Sequence, residues 1–142
     1  MSTNYRTELQ LSPNAADVIL LEERLRDFNR SHVENPVRLS FLIRLLGPEN
    51  LLVGGLFARI SYGWLFVEML WVAEENRRKG QGRELLRQAE EEALRHSCLH
   101  AWVDTFSFQG RGFYEKNGYV VFGQLADYPP GHTRYFLRKT LA

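Results

Sequence analysis

The run Arg77-Arg78-Lys79-Gly80-Gln81-Gly82 is the part of the sequence with the clearest chemistry. It follows an apolar strand pattern and precedes a helical one. The first amides of a helix have no internal partner, and the helix dipole makes that end positive. Glycines let backbone come close to a bulky anion. Between Arg77 and Arg83 stand four cations and no acid. Each cation at a positive pole costs about 0.3–1 kcal/mol, and a bound anion reverses that sign. The expectation is an anion site at this helix start, the alternative being an ordinary exposed turn whose long side chains point to water. The spacing is not that of a Walker loop. It is not a dinucleotide fingerprint either, because no third glycine follows two residues after Gly82.

Other candidate groups are dispersed. The four histidines, His32, His96, His100 and His132, lack metal-ligand spacing, and Cys98 has no second cysteine. No metal is expected. Cys98 reads as a small buried side chain and favours a reducing, cytoplasmic setting. The acidic run Glu90-Glu91-Glu92 reads as the solvated face of a helix.

The elements that must position these groups follow from periodicity. Tyr5 to Leu11 is a possible first strand. Ser12-Pro13 reads as an N-cap and first helical residue, opening a helix over 13–31 with Val18, Leu21, Leu25 and Phe28 on one stripe. From Leu39 the period changes to two. Residues 38–72 read as a three-stranded antiparallel meander with turns at Gly47-Pro48-Glu49-Asn50 and Tyr62-Gly63. The apolar run Leu65-Phe66-Val67 suggests burial on both faces. A helix follows the basic turn, then a strand over 98–106 and a short helix over 109–116 ending at Asn117-Gly118. Strands over 119–125 and 133–139 flank the loop Asp127-Tyr128-Pro129-Pro130-Gly131-His132. The fold class is mixed α/β. Its largely antiparallel twisted sheet has about seven strands, flanked by about three to four helices. The 142 residues fit one domain, 1–142. A net charge of +1 argues against a nucleic-acid partner. The longest apolar stretch, interrupted by Glu68, is too short to span a bilayer, and no signal peptide is read at the N-terminus.

Arg77, Gly80 and Gly82 match the pattern Arg/Gln-x-x-Gly-x-Gly/Ala, which resembles the acyl-CoA motif of the GNAT superfamily of N-acetyltransferases. Downstream, Gly112-Phe113-Tyr114-Glu115-Lys116-Asn117-Gly118-Tyr119 is similar to the Phe-Tyr-Glu-Lys-x-Gly-Tyr/Phe signature of that family. The element order agrees with the family fold. The resemblance covers nearly the whole chain and is strongest from Leu70 to Phe122.

The resemblance implies acetyl-CoA as donor and a primary amine as acceptor, reacting directly in a ternary complex. The pyrophosphate would sit on the basic turn. The pantetheine arm would pair with the strand edge at Leu70, Trp71 and Val72, exposed because the family's fourth and fifth strands splay apart. Phe113 and Lys116 of the signature are further cofactor contacts. Ser107 stands where many members carry an asparagine that contacts the cofactor. Tyr114 would donate a hydrogen bond or proton to the leaving thiolate. Glu68, an acid within an apolar strand, is the candidate general base, direct or through water, with a pKa raised by burial. Asp104 is the runner-up. His132, in the loop before the last strand, is a possible acceptor contact. The segments 104–109 and 128–132 also resemble a bacterial subgroup of small GNAT proteins, which implies no particular acceptor. Homodimers are common in this fold. The rival readings are a non-catalytic acyl-CoA sensor on the same fold and an interaction domain that does not use CoA.

Overall fold

The computed structural model describes residues 4–142. The chain forms two compact units, Met1–Glu34 and Asn35–Ala142. The domain expected over 1–142 thus includes residues 1–3, which lie outside the described part.

In the first unit one helix, α1, spans Ala15–Arg30. Its N-cap is Asn14, not Ser12: the Asn14 side-chain oxygen accepts from the Asp17 amide at 3.1 Å. Both residue types cap well, but Asn14 is the one that reaches the third helical amide. Tyr5–Leu11 forms no strand. A strand exists only where another takes its backbone donors and acceptors, and no ladder of the sheet includes this segment. Among the described residues the sheet therefore has six strands, where about seven were expected.

The second unit contains that sheet: β1 (Leu39–Leu46), β2 (Leu52–Ser61), β3 (Trp64–Val72), β4 (His100–Phe106), β5 (Val120–Ala126) and β6 (Thr133–Thr140). Their spatial order is β1-β2-β3-β4-β6-β5. Only β3 and β4 are parallel. That pair needs a crossover, which helix α2 (Gln81–Arg95) supplies; α3 (Arg111–Lys116) joins β4 to β5. Alternation in the strands puts Leu56, Ala58, Ile60, Leu65, Val67, Ala101, Val103 and Leu137 into one core with Leu85, Leu86, Ala89 and Ala93 of α2 and Tyr114 of α3. Each buried Leu or Ile contributes about 1.5–3 kcal/mol. Phe66 remains half-buried, stacked on Trp102 with centroids 4.1 Å apart, so the central run is not buried on both faces.

Two features decide where a site can form. β3 carries a bulge: Phe57 faces Met69 and Ala58 faces Val67, leaving Glu68 unpaired. The β3–β4 ladder ends at Val67↔Val103, whereas β3 runs on to Val72 and β4 to Phe106. Beyond Val67 the two strands present unpaired edges to each other, and the sheet forks.

The acidic run on α2 is not a uniform solvated face. Glu90 is half-buried between the Lys139 ammonium, at 2.6 Å, and the Tyr119 hydroxyl, at 3.1 Å. Glu91 pairs with Arg87, and Glu92 with Arg95 and His96. Replacing Lys139 with Met strands the Glu90 carboxylate. Urea denaturation of Lys139→Met should show a loss of about 1.5–3 kcal/mol, the usual worth of a hydrogen bond to a charged group.

Candidate active site at the strand fork

The basic turn closes in steps. A short 3₁₀ turn, Glu74–Asn76, follows β3. Arg78 then adopts φ +62° and Gly80 φ +77°. The left-handed region costs a non-glycine residue roughly 1–2 kcal/mol, so Gly80 is suited to its place and Arg78 is held there under strain. No side chain caps α2 at Gly80, and the first helical bond runs from the Glu84 amide to the Gly80 carbonyl at 3.1 Å. The amides of Gln81, Gly82 and Arg83 therefore have no intrahelical acceptor. Glu84, the one acid of the first turn, is taken up by Arg87 and Gln88. A Cβ built on Gly80 meets nothing within 4 Å. The helix start is uncapped and has open space before it, the condition for an anion.

The two glycines differ in purpose. A Cβ on Gly82 would lie 3.3 Å from the Phe113 ring. Gly82 thus lets the start of α2 pack on α3, and it joins the basic turn to the Phe113-Tyr114 segment. Arg77 turns back on its own strand, its Nε donating to the Val72 carbonyl at 2.7 Å. It anchors the turn to the end of β3. Arg78, Lys79 and Arg83 are exposed around the helix start. Gln81 is half-buried there. On the free edge of β3, Leu70 and Val72 pack against the core while Trp71 points away and is 55% exposed.

Tyr114 lies on α3, whose start is tied to β4: the Gly110 amide donates to Thr105 Oγ1 at 3.0 Å, and the Tyr114 amide to the Gly110 carbonyl at 3.0 Å. The ring is 8% exposed and packs edge-on to Phe113 and Tyr119. Among the described residues no fully buried side-chain polar atom lacks a partner. The Tyr114 hydroxyl has no hydrogen-bond partner among the described residues, so it is where the ring reaches the surface. Burial pushes its phenol up to about 12, and the Asp104 carboxylate adds to the rise.

Glu68 is not buried. As the extra residue of the bulge it turns outward, with 37% side-chain exposure, and bonds Arg59 Nε at 3.1 Å. The bulge shifts register by one residue, which moves a side chain to the other environment. Asp104 follows the last β3–β4 pair on β4 and is held by Arg134 at 2.8 Å.

Ser107 has partners within the protein. Its hydroxyl accepts from the Thr133 amide at 3.2 Å and lies 3.5 Å from His132 Nδ1. It pins the end of β4 to the β5–β6 loop. His132 also meets the Phe108 ring edge-on at 4.9 Å. Lys116 is exposed at the end of α3, and Gly118 follows that helix at φ +91°. Cys98 is buried, and burial pushes its thiol up, away from nucleophilic use. Among the described residues no group of His, Cys, Asp and Glu is placed to hold a metal. No described helix is long and apolar enough to cross a membrane.

The fork thus collects an uncapped helix start, a free strand edge, a tyrosine hydroxyl facing open space and two arginine-paired carboxylates. Sequence reasoning missed Arg59 and Arg134. The only signal for either was a cation within a strand.

Comparisons bear on this arrangement. The sequence model described as the acetyltransferase (GNAT) family matches residues 7–119. The chain is 38% identical over 96 residues to the blasticidin-S acetyltransferase of Streptomyces morookaense, covering 67% of this chain and 71% of that protein. A crystal structure of an acetyltransferase from Bacillus cereus superposes with a TM-score of 0.86 at 26% identity, covering 94% of this chain and 97% of that one. The PaiA N-acetyltransferase of Thermoplasma acidophilum, in complex with coenzyme A, superposes at 0.62 with 20% identity, over 85% and 69% of the two chains, and supports the fold alone.

Proposed function

The chain belongs to the acetyltransferase (GNAT) family, and from that premise we propose that residues 1–142 act as one domain moving an acetyl group from acetyl-CoA to a primary amine. The observation that carries this reading is the fork. β3 keeps an open edge beyond Val67, the uncapped start of α2 follows it, and Gly82 in that start packs against Phe113 next to Tyr114. A pyrophosphate on the Gln81–Arg83 amides would satisfy donors that have no other acceptor. Arg78, Lys79 and Arg83 would add charge, and Arg77 would hold the turn in shape. The pantetheine would complete the ladder along Leu70, Trp71 and Val72, as an added strand does. Phe113 would support the cofactor from below, with Lys116 at the far end of the same helix. The PaiA N-acetyltransferase, which shares this fold, is in complex with coenzyme A, and that cofactor is the one proposed here.

The reaction follows from the lining. The neutral amine nitrogen attacks the thioester carbonyl, and the C–S bond breaks with its electron pair on sulfur. Tyr114 donates a hydrogen bond to that sulfur. The proton lost by the amine passes to the Glu68 carboxylate, through water, because Glu68 is exposed and already shares Arg59. Glu68 thus reaches the amine only through water and not by direct contact. Glu68→Gln should therefore lower kcat about 10-fold, at the foot of the general-base range, leaving the KM for acetyl-CoA unchanged. Steady-state rates at saturating acetyl-CoA measure this. The acceptor is a small-molecule amine. The named antibiotic of the 38%-identical relative is the first to try.

Thermal unfolding with acetyl-CoA and with desulfo-CoA tests the donor. A ligand at 100 times its dissociation constant adds about 2.7 kcal/mol of stability. Both should raise the melting temperature. No rise with either would remove CoA from the account.

A further inference from the structure

One guanidinium at the fork is far more constrained than its neighbours. Arg134 donates to Asp104 Oδ1 from Nη2 at 2.8 Å and from Nε at 3.1 Å, and to the Tyr128 hydroxyl from Nη1 at 2.8 Å. Its carbon lies over three rings, Tyr128 at 4.9 Å, Phe136 at 5.2 Å and Phe106 at 5.7 Å. The side chains of Arg134 and Asp104 are 24% and 19% exposed. Arginine suits such stacked, forked geometry. Asp104 is the first residue of β4 past the last β3–β4 pair, so its carboxylate stands at the mouth of the fork, where the sulfur would depart. Left alone, it would oppose negative charge forming there.

We propose that Arg134 is a positioning residue for acetyl transfer, pairing with Asp104 so that the carboxylate charge is cancelled where the thiolate forms. This rests on the reading of the fork as an acetyl-transfer site. Arg134 touches neither donor nor acceptor in this account; it acts through Asp104. Its bond to Tyr128 is a separate duty, fixing the β5–β6 loop. The other groups facing Tyr114 are Tyr119 and, behind it, Glu90 paired with Lys139, so Asp104 is the charge that Arg134 controls. The rise in the Tyr114 phenol attributed in part to Asp104 agrees with this placement.

A charge-rescue series tests it. Arg134→Met should lower kcat about 10- to 100-fold, within the range of single electrostatic groups in active sites. The KM for acetyl-CoA should stay within about threefold. Adding Asp104→Asn to Arg134→Met should restore most of the rate, because the stranded charge is gone. Tyr128→Phe, which cuts only the loop tie, should stay within about threefold of wild type. A double variant no faster than Arg134→Met, or a Tyr128→Phe defect as large, would overturn the proposal and leave a loop anchor. A readout independent of turnover is the ionisation of ¹³Cζ-labelled Tyr114 in the unliganded protein. Its onset should come at lower pH in Asp104→Asn and at higher pH in Arg134→Met. An unchanged onset in both would overturn the charge account even if no acceptor were found. Absence of turnover with the expected order of onsets would instead count against the acetyl-transfer reading alone.

Discussion

Gly80→Asp is expected to weaken CoA binding by at least 100-fold while leaving the fold almost as stable as wild type. The two effects separate because of where the position lies. Gly80 has φ +77°, and a Cβ there enters open space. Asp tolerates the left-handed region better than most residues, so the folding cost is about 1 kcal/mol. Its carboxylate, however, would occupy the space before the α2 amides. It would take up the free donors and repel a pyrophosphate that needs them. A loss of 100-fold corresponds to about 2.7 kcal/mol. Calorimetric titration with acetyl-CoA, beside a urea melt, measures both. Equal loss of stability and affinity would mean that Gly80 serves the fold and not the ligand. Gly82→Asp would not separate them, since a side chain there meets the Phe113 ring.

Tyr114→Phe should lower kcat about 10- to 1000-fold with little change in KM. The ring packing survives the change, so stability should move little. A phenol near 12 handing its proton fully to a thiolate near 8.5 climbs about 5 kcal/mol. Tyr114 is therefore a hydrogen-bond donor to the developing thiolate, and full proton transfer is not required. One consequence concerns pH. A raised phenol stays protonated as pH rises, so the wild-type rate should show no alkaline fall from Tyr114 until about pH 12 is approached. A fall near 10 that vanishes in Tyr114→Phe would contradict this assignment.

Much of the fold was legible because its signals are periodic. The alternation from Leu39 to Val72, the helix after the basic turn and the two motifs near Gly80 and Tyr114 all lie where their spacing puts them. The failures share one cause, since each depends on a partner distant in sequence. Tyr5–Leu11 has strand-like residues but no ladder. Glu68 sits in an apolar strand by its neighbours, yet a one-residue bulge turns it to Arg59. Glu90 reads as solvated until Lys139 arrives from 49 positions away. Arg134 gains its meaning from the β5–β6 loop. Arg77 bonds only five residues back, across the 3₁₀ turn Glu74–Asn76. The sequence thus named the types of group at the fork, and the geometry redistributed several of their tasks.

The central claim is tested most directly by incubating the wild-type protein with acetyl-CoA and a panel of primary amines that begins with blasticidin S. Free CoA and acetylated amine are then measured together, by thiol titration and mass spectrometry. At least one amine should be acetylated, with one CoA released per acetyl group transferred. Saturable binding of acetyl-CoA with neither product from any amine would contradict it, and would favour a sensor built on the same fold.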